Sequence, residues 1–230
     1  MRHKRLSKNY IVATIKSWNK KNFQKNFYNK SNFYLITNKK DLNFKKIKKI
    51  NPKYIFIPHW SWIIPENIWQ NFNCVVFHMT DLPYGRGGTP LQNLIDKGHK
   101  KTKISAIKVD RGIDTGDIYL KADLDLNGSA EEIYRQVSNI IFNKMIPYII
   151  KNNPLSKKQN GKVVKFKRRK PKQSEILPDM NLKKVYNQIR MLDAEGYPRA
   201  FLKTKELKFN FSKAKLKNKK LTANVEIYEE

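Results

Sequence analysis

Four short apolar runs, at residues 10–14, 33–37, 54–58 and 74–77, are set apart by polar, lysine-rich stretches of helix-compatible length. Runs rich in β-branched and aromatic residues read as strands, and strands at this spacing read as βαβ units. In IFI and CVVF the hydrophobicity is continuous instead of alternating, which marks strands buried on both faces. That pattern belongs to an α/β fold with a mostly parallel sheet covered by helices. Such sheets bind ligands beyond the carboxyl ends of their strands. The residues just after Ile57 and Phe77 are therefore the first candidates for a site.

Further along, Thr89 is positioned to cap a helix that begins at Pro90 and stops at Gly98. A strand at 104–109 follows, then the turn-rich DRGIDTGD, then a strand at 118–126 that pairs back on the sheet. Ser129 and Glu132 form a capping box, after which Ile133, Val137, Ile140, Ile141 and Met145 recur at helical spacing, as in one long core-packing helix. Residues 151–159 read as an exposed polar connection, 182–192 as a helix, and 209–230 as edge strands whose lysines discourage pairing with other chains.

A chain of 230 residues is long enough for one main core and a small appendage. The single cysteine, Cys74, excludes a disulfide scaffold and a cysteine-based zinc site, and points to a reducing compartment. The basic N-terminus has an apolar segment, 10–15, too short for a signal peptide, and no later segment approaches a membrane span. A soluble cytoplasmic protein without membrane contact is expected. The 48 Lys and Arg against 19 Asp and Glu leave a formal net charge of +29. Such a charge raises nucleic acid as a partner, but lysine is spread along the whole chain beside abundant Asn and Ile. That spread reads as compositional bias, so nucleic acid is expected to be an unlikely partner, with anionic small substrates favoured.

His78 ends a buried strand and opens the turn-rich loop MTDLPYGRGG, where an imidazole can exchange protons near neutral pH. Read alone, it fits a solvent-facing loop histidine better. In DRGIDTGD, Asp114 sits on a tight strand-end loop and can orient and charge-stabilise His78, or the loop can be an Asp-Gly surface turn closed by its own hydrogen bonds. FIPHWSWIIPENIW places aromatic surface at another strand end, either as a core cluster or as a ligand pocket.

FHMTDLPYGRGGTPLQNLI followed by SAIKVDRGIDTGDIYLKADL resembles the folate-dependent formyltransferases, in which a strand-end His, an LPxxRGxxPxQ loop and a DxGxDTGD loop recur in this order. The resemblance covers residues 55–148 well and the first strands more loosely. It implies a Rossmann-like formyltransferase core with a small C-terminal β-containing extension, divided here as 1–153 and 154–230. It implies His78 and Asp114 as catalytic residues, 10-formyltetrahydrofolate as formyl donor, and a reaction that needs no metal. The pterin pocket would be lined by Ser61, Trp62 and Ile64 and closed by the backbone of Asp110, Arg111, Gly112 and Ile113. One position departs from the family: Val76 stands where an Asn two residues before the His helps hold the oxyanion. Loss of one such donor costs about 3 kcal/mol in barrier unless another group serves; Thr80, Asn93 and a loop amide are the candidates.

FKRRKPKQSEI and VYNQIRMLDAEGYPRAFL resemble tail motifs of nucleotide-sugar N-formyltransferases, and only about eighty residues follow the core. The acceptor expected on that basis is the amine of a nucleotide-linked amino sugar, a UDP-linked 4-amino sugar in particular. It would be held by Thr80, Tyr84, Arg86, Gly87, Gly88, Arg190, Glu195 and Tyr197, with Asp193 as a further sugar contact. The sugar enzymes are often dimers, which leaves a homodimer open. Two alternatives stand beside this reading: a formyltransferase acting on methionyl-tRNA, and a folate-binding protein without turnover.

Overall fold

Strands and helices alternate from the start of the chain, and the apolar runs are the strands. A computed structural model describes residues 8–229; the basic start at 1–7 and Glu230 lie outside the described residues. The first half runs β1 (Asn9–Ala13), α1 (Ser17–Phe27), β2 (Phe33–Ile36), α2 (Phe44–Ile50), β3 (Pro52–Ile57), α3 (Glu66–Trp69) and β4 (Cys74–His78). It continues with β5 (Tyr84–Gly87), α4 (Pro90–Asp96), β6 (Lys101–Lys108) and β7 (Ile118–Asp125). A six-stranded sheet has the order β2-β1-β3-β4-β6-β7, parallel from β2 to β4 and antiparallel at β6 and β7.

Side chains alternate across a strand, and here both sides are buried. Tyr10, Val12, Tyr54, Phe56 and Val75 join one apolar cluster, while Ile11, Ala13, Ile55, Ile57 and Cys74 join the other. Continuous hydrophobicity was the outward sign of this arrangement. The second cluster is closed by Ile47 of α2 and Ile68 of α3, and the first by α1 and by α5 (Ala130–Ile140). The Ser129–Glu132 capping box is present at the start of α5.

Three local expectations change. The long helix does not run evenly: a π-helical turn at Ile141–Met145 separates α5 from α6 (Ile146–Asn152). Pro147 lacks an N–H and crowds the carbonyl one turn back, so the helix widens ahead of it. Thr89 does not cap α4 with its side chain; it sits at φ 47°, and its Oγ1 accepts from Asn93 Nδ2 and Arg169 N, both at 3.1 Å. The polar stretch 151–159 is tied to the sheet, through an antiparallel bridge between Lys157 and Ile118.

The remainder comprises β8 (Val164–Phe166), α7 (Leu182–Leu192), β9 (Ala200–Lys203), β10 (Leu207–Lys217) and β11 (Lys220–Glu229). β8 pairs with β5, and β9 to β11 form a separate antiparallel sheet. Ile189, Met191 and Leu192 of α7 enter the same apolar cluster as the β1 and β3 side chains. The chain order makes the ends of β1 and β3 a switch point, with β2 to one side and β4 to the other, where α/β sheets place their crevice.

Candidate active site

Two adjoining cavities open beyond the carboxyl ends of β3 and β4 and share a wall made of Trp60, Ser61, Trp62, Ile64, Val76 and Asp114. The first, of about 540 Å³, lies between the segment after β3 and the loop at 110–116. Trp60 and Trp62 meet edge to face at 5.1 Å, and Ile64, Trp69 and Val109 complete an apolar lining. Ser61, Asp110, Arg111, Gly112 and Ile113 are on its rim. The Arg111 guanidinium is turned outward to Glu66 at 3.4 Å, so this residue contributes backbone to the cavity. The indole Nε1 of Trp60 is buried and has no hydrogen-bond partner among the described residues. An apolar slot lined by aromatic rings suits a heteroaromatic ring.

The second cavity, of about 380 Å³, contains His78 and Asp114. Sequence separated them by 36 positions, and the fold brings His78 Nδ1 to 3.4 Å from Asp114 Oδ1, with both side chains largely buried. His78 Nε2 donates to the Gly85 carbonyl at 2.8 Å, since that oxygen can only accept. Asp114 is held by φ 55°, and its second oxygen accepts from Gly87 N at 2.9 Å. Gly87 is required here: at φ 109° a Cβ would lie 2.5 Å from the Phe166 carbonyl oxygen. The loop is tight at its far end too, where a Cβ on Gly116 would fall 1.7 Å from the Lys108 carbonyl oxygen.

Gln159 is a residue that the sequence did not single out. Its Nε2 donates to the carbonyls of Asp114 and Gly116 at 2.9 and 2.8 Å, and its Oε1 accepts Arg86 Nε and Nη2 at 3.0 and 2.8 Å. One amide thus fastens both loops of the pair. Nothing in its lysine-rich surroundings marked it.

Several expected acceptor contacts are placed otherwise. Arg86 is spent on Gln159. Thr80 is fully buried with Oγ1 toward Gly85 O at 3.5 Å, and Tyr84 pairs through its hydroxyl with His99 Nε2 at 3.0 Å. Arg190 reaches back to the carbonyls of Leu126 and Gly128 at 2.7 and 2.9 Å, so its charge stabilises a loop end. Asp193 pairs with Arg199 and takes the amide of Lys213. Glu195 accepts from the Ser17 hydroxyl. Asn93 directs its amide at Gly88 O, Thr89 O and Lys167 O; with Thr80 also turned away, neither side chain stands in at Val76. Gly88 and Tyr197 do line the second cavity, with Arg168 beside them. Tyr197 stacks on Tyr134 at 5.2 Å, and Tyr134 on Trp18 at 5.5 Å.

A Rossmann-like sheet with a His–Asp pair beside an apolar slot beyond the carboxyl ends of β3 and β4 defines an α/β enzyme core. The chain belongs to the formyl transferase family: that family's model matches residues 7–145. A second model, the C-terminal domain of methionyl-tRNA formyltransferase, matches residues 171–228. The methionyl-tRNA formyltransferase of Rickettsia felis is 35% identical over 109 residues, covering 46% of this chain and 35% of the relative. The chain thus aligns with about a third of the length of that curated relative. A solved structure, methionyl-tRNA formyltransferase from Clostridium thermocellum, is 61% identical with a TM-score of 0.94, covering 97% of this chain and all of that one (100%). HypX from Aquifex aeolicus in complex with tetrahydrofolic acid shares the fold at TM-score 0.74 and 13% identity, over 90% of this chain and 37% of its own. The nucleotide-sugar acceptor is overturned by these matches, as is the expectation that nucleic acid is an unlikely partner: the tail that resembled sugar enzymes matches the tRNA-enzyme domain. Among the described residues no helix is long and apolar enough to cross a membrane.

Proposed function

We propose that this protein transfers a formyl group from 10-formyltetrahydrofolate to the amino group of methionyl-tRNA. What carries the reading is the likeness to a methionyl-tRNA formyltransferase along 97% of the chain, tail included. The residues fit the donor: Trp60, Trp62 and Ile64 offer the apolar slot, with Ser61 and the backbone of 110–113 at its rim. When bound, the folate supplies an activated formyl carbon. The acceptor amine enters the second cavity, where its lone pair forms the new C–N bond as the bond to the folate nitrogen breaks. The His78–Asp114 pair takes the proton the amine loses and returns one to the leaving nitrogen. Residues 1–153 carry this chemistry, and 154–230 contribute to acceptor binding, with Tyr197 and Arg168 at the cavity edge suited to a nucleotide's base and phosphate. The net charge of +29 favours a polyanionic acceptor. The reading places the enzyme in the cytoplasm, with its tRNA.

Incubation with 10-formyltetrahydrofolate and methionyl-tRNA should add one formyl mass to the aminoacyl end, with a rate that falls steeply as salt rises. His78→Ala should fold, bind folate and lose about 100- to 10,000-fold in turnover. Wild-type protein that leaves methionyl-tRNA unformylated would refute the acceptor, and an active His78→Ala would refute the role of the pair.

A further inference from the structure

We propose that His59 is a further catalytic residue of this site, its Nε2–H donating to the formyl oxygen as negative charge gathers there. The inference rests on formyl transfer as read above. β3 and β4 pair with Ile57 opposite Val76, so the strands end side by side, roughly 5 Å apart. His59 and His78 each stand two residues past that pair, and both line the second cavity. On this wall Val76 presents no polar atom, and His78, set between Gly85 O and Asp114, is committed to the proton transfer.

The protonation of His59 follows from its neighbours. Asn19, fully buried, directs Nδ2 to Thr14 Oγ1 at 2.9 Å and lies 3.3 Å from both Pro58 O and His59 Nδ1. The Pro58 carbonyl can only accept, so the nitrogen of the amide must face it. The same NH2 group lies against His59 Nδ1 and cannot accept from it, so we assign the proton of the neutral ring to Nε2. Burial, followed by the charge of Lys16, pushes the ring's pKa down to about 4. The imidazole is thus a neutral donor at physiological pH.

Its orientation is fixed as well. The ring stands edge-on to Trp18 at 5.8 Å and to Tyr134 at 5.1 Å. The backbone holds φ 52°, a left-handed conformation that side chains rarely adopt and that persists where the surroundings impose it. Yet Nε2 is buried with no hydrogen-bond partner among the described residues. A buried N–H left unpaired is unfavourable, and the ring that carries it lines the second cavity, so a small shift of the ring on ligand entry would give it a partner. A neutral donor held in place stabilises developing oxyanion charge without surrendering its proton.

Two variants and one spectrum test this. His59→Leu should lower kcat for formyl transfer to methionyl-tRNA by about 100- to 1,000-fold with KM for the folate unchanged, and His59→Gln, which keeps a donor, should recover most of it. In the wild-type chain, imidazole nitrogen NMR at pH 7 should show His59 protonated on Nε2 alone, and that N–H should shift when a non-transferable 10-formyl folate analogue is added. If the Leu variant does not fold, the Gln variant and the spectrum decide. Unchanged kcat in a folded His59→Leu, a proton found on Nδ1, or an N–H that ignores the analogue would overturn the proposal. A responsive N–H in a protein that leaves methionyl-tRNA unformylated would instead support His59 and refute the acceptor.

Discussion

His59 makes the stability of this protein depend on pH in a direction opposite to that of a salt-bridged histidine. In the folded chain its pKa is about 4, against an ordinary value of 6.5. Above pH 6.5 the ring is neutral folded and unfolded, and it contributes no pH dependence. As pH falls below 6.5 the unfolded chain takes up a proton that the folded ring refuses, so stability is lost until about pH 4, where both forms bind it. The gap of roughly 2.5 units amounts to about 3 kcal/mol in full, and about 2 kcal/mol of it has gone by pH 5. Urea unfolding of wild type and of His59→Gln at pH 7 and pH 5 isolates the contribution, because other titrating groups affect both proteins alike. Wild type should lose about 2 kcal/mol more than the variant over that interval. Equal losses would mean that the buried ring protonates without penalty, and the lowered pKa would fall with it.

Gly116→Ala should destabilise the loop by about 1–3 kcal/mol and lower turnover, since its Cβ would collide with the Lys108 carbonyl; thermal melting together with kcat checks this. Gln159→Leu strips partners from Asp114, Gly116 and Arg86 and should cost about 1–3 kcal/mol in urea unfolding, with a fall in kcat that a remote surface substitution would not produce. Arg190→Ala should weaken folding while leaving KM for the acceptor unchanged, because its guanidinium is committed to Leu126 and Gly128; a raised KM alone would restore it to the substrate. Cys74 is buried, which pushes its thiol up to about 12; disulfide reagents at pH 8 should reach it only after unfolding.

The sheet was legible in the sequence because each strand carries its own signature. A strand buried on both faces has no room for a polar residue on either, and that shows in IFI and CVVF without knowledge of any neighbour. The positions of His78 and Asp114 were legible for a related reason: both sit on turn-rich loops at strand ends, where short-range chain geometry exposes a side chain. The Ser129–Glu132 cap is likewise a contact three residues long. The widened turn ahead of Pro147 has a local cause too, a proline set inside an apolar helical period.

Other features exist only because distant segments meet. Arg86, Arg190 and Asp193 carry the charges expected of a substrate grip, yet partners 73, 64 and 6 positions away take up those charges inside the protein. Gln159 matters because it reaches two loops at once, and His59 because Asn19, 40 residues earlier, sets its tautomer while Trp18 and Tyr134 set its plane. Local composition thus determined the strands, the caps and the two strand-end residues, each set within a few positions. Which charges remain free, which imidazole is neutral and which donor is unpaired were decided by tertiary structure, because hydrogen-bond satisfaction is a property of the space around an atom and not of the residues beside it in the chain.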